Sequence, residues 1–520
     1  MLWLIFGMAC ALLLAAIALR VKFARLSGAE GPDSTALPPD PATPLATAVA
    51  GLSLPEGQNG LTGISDGLDA FAARIALIRA AQSALDVQYY VWHKDRAGQL
   101  MLNELRAAVA RGVRLRLLVD DLGAPDLDDI LHGLNSLPGA EVRLFNPFLL
   151  RRMRTVNLLL DFGRLNRRMH NKSLTADGVA CILGGRNIGD EYFEGGKDFH
   201  FIDFDVLLTG PAAAEVAADF DIYWASAAAV PVTRLLRHPP GALDRLQAQA
   251  EIIWQEPDSA AYAAALDDGN PVQDLLDGRL QPHHAPVQLV SDDPVKATGR
   301  AKRKHLLASR LAALLSLPET SADFITAYFV PGGRGLRALT AMAKRGVRIR
   351  VLTNGQQSTD VGLVHCGYAR YRRRLLRAGI SVYELKAGLG QPKPRRRRRL
   401  RRVLSASSGN SLHAKTFVID GRQIFVGSFN LDQRSVFLNT ELGLLIDSPG
   451  LSAEVSEALD QDLAENAYRL FLKKDGTHGA LRWVEPTDTG EVTHITEPGT
   501  TLFSRTLLRL AGRLPIEWLL

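Results

Sequence analysis

DVQYYVWHKDRAGQLMLNELRAAVARGVRLRLLVDD, residues 86–121, is the stretch whose pattern decides the fold. A β-rich run, Asp86 to Trp92, leads into an amphipathic stretch through Leu102, Leu105 and Val109. That stretch stops at Arg111-Gly112, before a second apolar run from Val113 to Val119. A helical period between two short strand-like runs, with glycine at the stop, is strand–helix–strand grammar. Residues 323–354, DFITAYFVPGGRGLRALTAMAKRGVRIRVLTN, write the same unit again, with Arg345-Gly346-Val347-Arg348 in the place of Arg111-Gly112-Val113-Arg114. Parallel strands joined by crossover helices need a sheet covered on both faces. The expected fold class is therefore α/β, as two tandem α/β/α sandwich domains.

The repeat extends into chemistry. His170, Lys172 and Asp177 follow the first unit; His413, Lys415 and Asp420 follow the second with the same spacing. Gly184, Gly185 and Asn187 lie at +14, +15 and +17 from His170, and Gly427, Ser428 and Asn430 at the same offsets from His413. Both histidines sit in strand-like text, where residues i and i+2 share a sheet face, so each imidazole is expected beside its lysine. Asp177-Gly178 and Asp420-Gly421 also read as hairpin turns, which leaves open whether these aspartates shape a turn or act on substrate. The returning strands bring Gly185, Ser428, Asn187 and Asn430 to the histidine end as candidate substrate-binding groups, small enough for a phosphate to approach the backbone.

Two histidines, two lysines and two asparagines converging on one place suit a phosphodiester. Cations and amides neutralise its oxygens, one imidazole attacks phosphorus, and the other serves as acid and then base. A nucleophilic imidazole needs an acceptor on its other nitrogen. Glu441 in NTELGLLI is one candidate. In the first half the aligned text DFDVLLTG gives Asp205, by matching the apolar run that follows, with Asp203 as the alternative.

At these residues the sequence resembles the phospholipase D superfamily, whose signature is two H-x-K-x4-D motifs, each followed by G-[GS]-x-N. RLNRRMHNKSLTADG, GGRNIGDEYF, SLHAKTFVIDG, VGSFNLDQRS and the terminal LPIEWLL are similar to bacterial cardiolipin synthases of the C type, from about Gly63 to Leu520. The resemblance implies two domains forming one shared active-site cleft, a phosphohistidine intermediate, no metal and no cofactor. It makes His170 the nucleophile and His413 the acid and base, although the nearly symmetric copies do not assign these roles by themselves. It further implies transfer of a phosphatidyl group to phosphatidylglycerol, with phosphatidylethanolamine as donor and cardiolipin as product. A hydrolase, phosphodiesterase or nuclease of the same superfamily is the alternative, and a catalytically inactive membrane scaffold a third reading that the intact motifs oppose.

The 520 residues, 47% hydrophobic and 22% charged, describe an ordinary globular protein of more than one domain. Three cysteines make neither a disulfide framework nor a zinc module. The net charge of +6 is local: residues 393–402, KPRRRRRLRR, carry eight positive charges, and the rest of the chain is slightly acidic. That run suits an anionic bilayer first and a solvated loop second; a nucleic-acid reading comes last, because the run lacks interleaved aromatics and the apolar N-terminus places it beside lipid. Residues 1–19 form an uncharged apolar run, and Arg20, Lys22 and Arg25 follow it. The expectation is an uncleaved anchor in a bacterial inner membrane with the catalytic domains on the cytoplasmic side, where positive flanks collect. The expected organisation is a transmembrane anchor at 1–25, a Pro/Ala-rich linker at 26–60, a first domain at 61–283 and a second at 284–520. The last twenty residues read as an interfacial amphipathic segment or as one packed on the domain. Nothing in the sequence fixes the oligomeric state.

Overall fold

The computed structural model describes residues 2–27, 34–194, 200–237, 240–387, 410–473, 479–487, 490–514 and 517–519; the arginine run at 393–402 lies outside them. The first sheet contains β1 (Asn59–Ile64), β2 (Ala84–Val91), β3 (Arg114–Gly123), β4 (Ala140–Phe145), β5 (Ser173–Ala176) and β6 (Ala180–Gly184). After the short β7 (Phe201–Ile202) come β8 (Asp205–Thr209), β9 (Ala229–Pro231) and β10 (His283–Ala285). The order across this sheet is β10-β1-β8-β6-β5-β2-β3-β4-β9.

The second half begins with β11 (Val287–Ser291), β12 (Ser321–Thr326), β13 (Arg348–Asn354) and β14 (Ser381–Leu385). The two-residue β15 (Ser411–Leu412) precedes β16 (Lys415–Ile419), β17 (Gln423–Gly427), β18 (Leu442–Asp447), β19 (Ala467–Lys473), β20 (Ala480–Thr487) and β21 (Gly490–His494). Its order, β11-β18-β17-β16-β12-β13-β14-β19-β20-β21, repeats the first sheet strand for strand from β11 to β19, with β11 in the place of β1.

The repeated unit folds as its pattern requires. Helix Arg96–Ala110 starts at Asp95, whose carboxylate accepts from Gly98 N, and ends where Gly112 takes φ +97°. Its apolar face, with Leu102, Leu105 and Val109, is buried. It joins β2 to β3 in parallel; helix Gly332–Lys344 does the same for β12 and β13. Even an ion pair is duplicated across these ladders, Asp86 with Arg116 (2.7 Å) and Asp323 with Arg350 (2.7 Å). Beside each parallel pair runs an antiparallel hairpin, β5–β6 or β16–β17, that carries the motif residues. The sheets meet across an apolar core that includes Leu183, Val206, Val426 and Leu444.

The chain passes from the first sheet to the second at Pro286: His283–Ala285 pairs with β1, and Val287 opens the second sheet. His283 and His284 are thus edge-strand residues of the first sheet. The expected linker is partly folded. Helix Pro44–Gly51, capped by Thr43, buries Leu45 and Val49 in the first core, and Asn59 and Gly60 already belong to β1.

Helix α1 (Leu2–Ser27) is the one helix among the described residues long and apolar enough to cross a membrane, with mean hydropathy 2.4 over Trp3–Leu26. It runs through the basic residues and touches the first domain at its end, where the Arg164 guanidinium lies 4.1 Å from the Phe23 ring. Helix Leu502–Ala511 buries Leu508 and leaves Leu502, Phe503 and Leu510 exposed, so it packs on the second domain by one face only.

Candidate active site

β5 and β16 place each histidine just beyond the edge of its own sheet, and the other half holds it there. His170 N donates to Thr440 O (2.8 Å) and Thr440 N to Arg168 O (2.9 Å). On the other side β15 pairs with β7, and His413 N donates to Ile202 O (2.7 Å). The imidazoles are exchanged in the same manner. His170 Nδ1 lies 2.8 Å from Glu441 Oε2, and His413 Nδ1 lies 2.6 Å from Asp203 Oδ2. Each ring is therefore oriented by a carboxylate of the opposite half.

His170 Nδ1 also lies 3.1 Å from Ser428 O. A carbonyl only accepts, so Nδ1 carries the hydrogen and Nε2 keeps its lone pair. Aromatic rings flank both imidazoles edge-on, Tyr90 at 5.0 Å from His170 and Tyr192 at 5.2 Å from His413, with Phe201 tilted at 4.8 Å. Neither Tyr192 nor Phe201 belongs to the repeated motif. The visible signal was the position of Tyr192, five residues after Asn187.

Lys172 and Lys415 are each about 1% exposed, and their Nζ atoms donate back to His170 O (2.5 Å) and to His413 O. Among the described residues neither has a carboxylate within ion-pair distance. Burial and then the field of Lys415 push the Lys172 ammonium well below the ordinary lysine range; burial lowers Lys415 too. Burial, followed by the two lysines, holds His170 well below the usual histidine range. Burial and Lys415 bring His413 down to about 4, against the pull of Asp203. The carboxylates differ. Burial raises Glu441 to about 7, whereas Asp203, although burial opposes it, is held well below the carboxylate range by Lys415 and His413. An anion at such a centre gains from both ammonium groups.

The geometry corrects the readings of Asp205, Gly185, Ser428 and Asn187 and decides the one left open for Asp177 and Asp420. Asp205 does not orient a histidine: it is the first residue of β8, paired with Gly184, and it binds Arg74 (2.8 Å) and Arg186 (3.2 Å). Asp203, two residues earlier and beyond the strand end, reaches across to His413. Asp177 and Asp420 are not in the catalytic cluster, because β5 and β16 separate them from the histidines. Each takes positive φ in its turn and accepts backbone N–H groups, Asp177 from Gln82, Ser83 and Ala84, Asp420 from Glu319, Thr320 and Ser321. Gly185 and Ser428 face the orienting carboxylates instead of making a phosphate cradle. A Cβ on Gly185 would meet Asp203 Oδ1 at 2.0 Å, and Ser428 Oγ donates to Glu441. Asn187 binds Val91 N (3.1 Å) and Tyr192 Oη (3.0 Å), so its amide builds the wall; Asn430 Oδ1 accepts from Thr326 Oγ1 at 3.4 Å.

A family model described as cardiolipin synthase, phospholipase D-like domain, matches residues 75–224 and 311–463. The chain is 44% identical over 479 residues to cardiolipin synthase C of Escherichia coli, covering 92% of this chain and 99% of that protein.

The chain belongs to the phospholipase D-like cardiolipin synthase family.

As a family member it is an enzyme of the phospholipase D type, and its two matched segments are the two halves of the fold. Cardiolipin synthase 2 of Staphylococcus epidermidis is a more distant relative, 26% identical over 78% of this chain and 68% of its own. The fold is also that of phosphatidylserine synthase from Haemophilus influenzae Rd KW20, at TM-score 0.51 and 15% identity, over 82% of this chain and 92% of that one.

Proposed function

We propose that this enzyme makes cardiolipin at a membrane by phosphatidyl transfer to phosphatidylglycerol, with phosphatidylethanolamine as donor and a phosphohistidine intermediate. The observation that carries the reading is the pair of exchanged imidazoles beside two buried ammonium groups that have no ion-paired carboxylate among the described residues, in a chain of the cardiolipin synthase family. His170 Nε2 attacks phosphorus; the N–P bond forms as the bond to the head-group oxygen breaks, and His413 Nε2 supplies that oxygen's proton. His413 then takes the proton of a phosphatidylglycerol hydroxyl, whose oxygen displaces His170 from phosphorus.

The division of labour follows from the carboxylates. Asp203 is ionised and favours an imidazolium at His413. His170 is neutral and has its free lone pair at Nε2. A bound phosphodiester anion offsets the lysines and raises His413 from its lowered value, toward the protonated form that the first step needs. Asn430 and the lysines are the groups assigned to the phosphate oxygens. Catalysis takes place beside α1 on the cytoplasmic side of an inner membrane, and binds lipid, not nucleic acid.

The test uses the purified full chain in detergent with both phospholipids. Cardiolipin formation by the wild type and none by His170→Ala is expected; phosphatidic acid as the sole lipid product would replace the transferase by a hydrolase.

A further inference from the structure

The helix side of the second sheet holds a cavity of about 580 Å³, well within the range of small-molecule sites. It opens between helices Leu307–Leu314 and Gly332–Lys344, where the small side chains of Ala308, Ala312 and Ala338 leave the space unfilled. Leu339, Met342, Phe324, Phe417 and Phe429 form its walls, and the exposed Arg303 and Arg334 its rim. Phe429 stands between Ser428 and Asn430, so one turn of chain is both a wall of this cavity and a wall of the reaction centre.

The first half treats the matching place differently. Arg186 stands between Gly185 and Asn187 where the second half has Phe429, and Asp205, paired with Gly184, stands where Gly443 pairs with Gly427. Arg74, Tyr89 and Phe193 complete a filled, charged cluster there. Phe71 and Tyr262 stack at 4.2 Å beside it, under helices Ala242–Gln255 and Ala260–Asp267. The apolar space is therefore a feature of one half and not a general consequence of the fold.

We propose that this cavity takes one acyl chain of the phospholipid whose phosphodiester lies between His170 and His413. Resting on the function proposed above, this adds where the hydrocarbon goes. A glycerol backbone links chain and phosphate covalently, which keeps the chain close to the phosphate site, and Phe429 puts this apolar slot there. The cationic rim suits an anionic head-group layer at the mouth of a hydrocarbon pocket.

Ala312→Phe and Ala338→Phe reach into the slot from exposed helix positions at its mouth. On donors with sixteen-carbon chains each variant of the full chain in detergent is expected to lose about tenfold or more in kcat/KM, while activity on six-carbon donors stays at the wild-type level. Equal losses on both donors, or no loss on either, overturn the proposal. A second arm uses His170→Ala protein and a phosphatidylcholine bearing a photoactivatable diazirine near the end of one chain. Crosslinks are expected in residues 307–315 or 332–342 and are expected to disappear when Ala312→Phe is added. Cardiolipin synthesis with crosslinks elsewhere, or capture of a protein or a second copy at these residues in place of lipid, sinks the acyl site alone. Crosslinks in the slot, together with a wild-type chain that makes no cardiolipin, sink the function and leave the site.

Discussion

The two halves share strand order, motif spacing and even the Asp–Arg ladder pair, yet beside the catalytic turn they differ in kind. The first half buries Arg74, Arg186 and Asp205 against one another; the second has Phe429, Gly443 and an apolar slot. The orienting acids differ in the same sense, Asp203 ionised and Glu441 raised to about 7. Duplication thus supplied two equivalent imidazoles, and divergence around them made the pair unequal. A two-step transfer needs such inequality, since one ring must begin neutral and the other must accept a proton easily.

Exchanging the histidines breaks the comparison most severely. His170→Ala is expected to leave no measurable transfer and no lipid-linked protein after acid quench with labelled donor. His413→Ala should slow turnover by about 10²–10⁴-fold while still allowing labelled protein to be trapped. Adducts in the first variant and none in the second would reverse the assignment.

The acids come next. Asp203→Asn is expected to lower kcat by about 10²-fold or more at every accessible pH, because an ionised partner of His413 is lost. Glu441→Gln should be much milder below about pH 7, where a carboxyl raised to about 7 is already neutral, and more costly above it. A pH profile of the variant parallel to that of the wild type would contradict the raised carboxyl.

Stability sharpens the contrast at Asp205. Its replacement by Ala leaves two buried guanidinium groups without their shared carboxylate, an expected loss of about 3–5 kcal/mol in denaturant unfolding. A loss under 1 kcal/mol would show that the cluster is not electrostatically coupled. The smallest effects belong to the turns. Asp177→Ala is expected to cost about 1–3 kcal/mol through the N–H groups of Gln82, Ser83 and Ala84, with kcat of the folded protein unchanged. A collapse of kcat at full folding would return Asp177 to the chemistry. For Asp420, held below the ordinary carboxylate range by backbone N–H groups that outweigh burial, the stabilisation is present above the unfolded carboxylate pKa. It fades as pH falls through the folded value, and comparing Asp420→Asn with wild type in acid unfolding checks it.

The strand–helix–strand units and the paired motifs were legible because each has a local period and a fixed spacing. The failures have equally local causes. Matching the apolar runs placed Asp205 opposite Glu441, but Gly443 interrupts the second run, and a slip of two residues keeps a strand's side chains on the same face, so alternation gives no warning. Register across the sheet aligns Asp203 with Glu441. Helix Pro44–Gly51 was hidden by proline-rich composition although Thr43-Pro44 is a serviceable helix start. The β7–β15 pairing and the crosswise contacts join residues some 210 to 271 positions apart and leave no local pattern.

That crosswise stitching makes the seam between the lobes the working part of the molecule. Any parting of the lobes would strip each imidazole of its acid, so the lobes must stay shut through a full turnover. Lipids must then slide in and out along the rim, and either lobe made alone would carry a histidine with nothing to aim it.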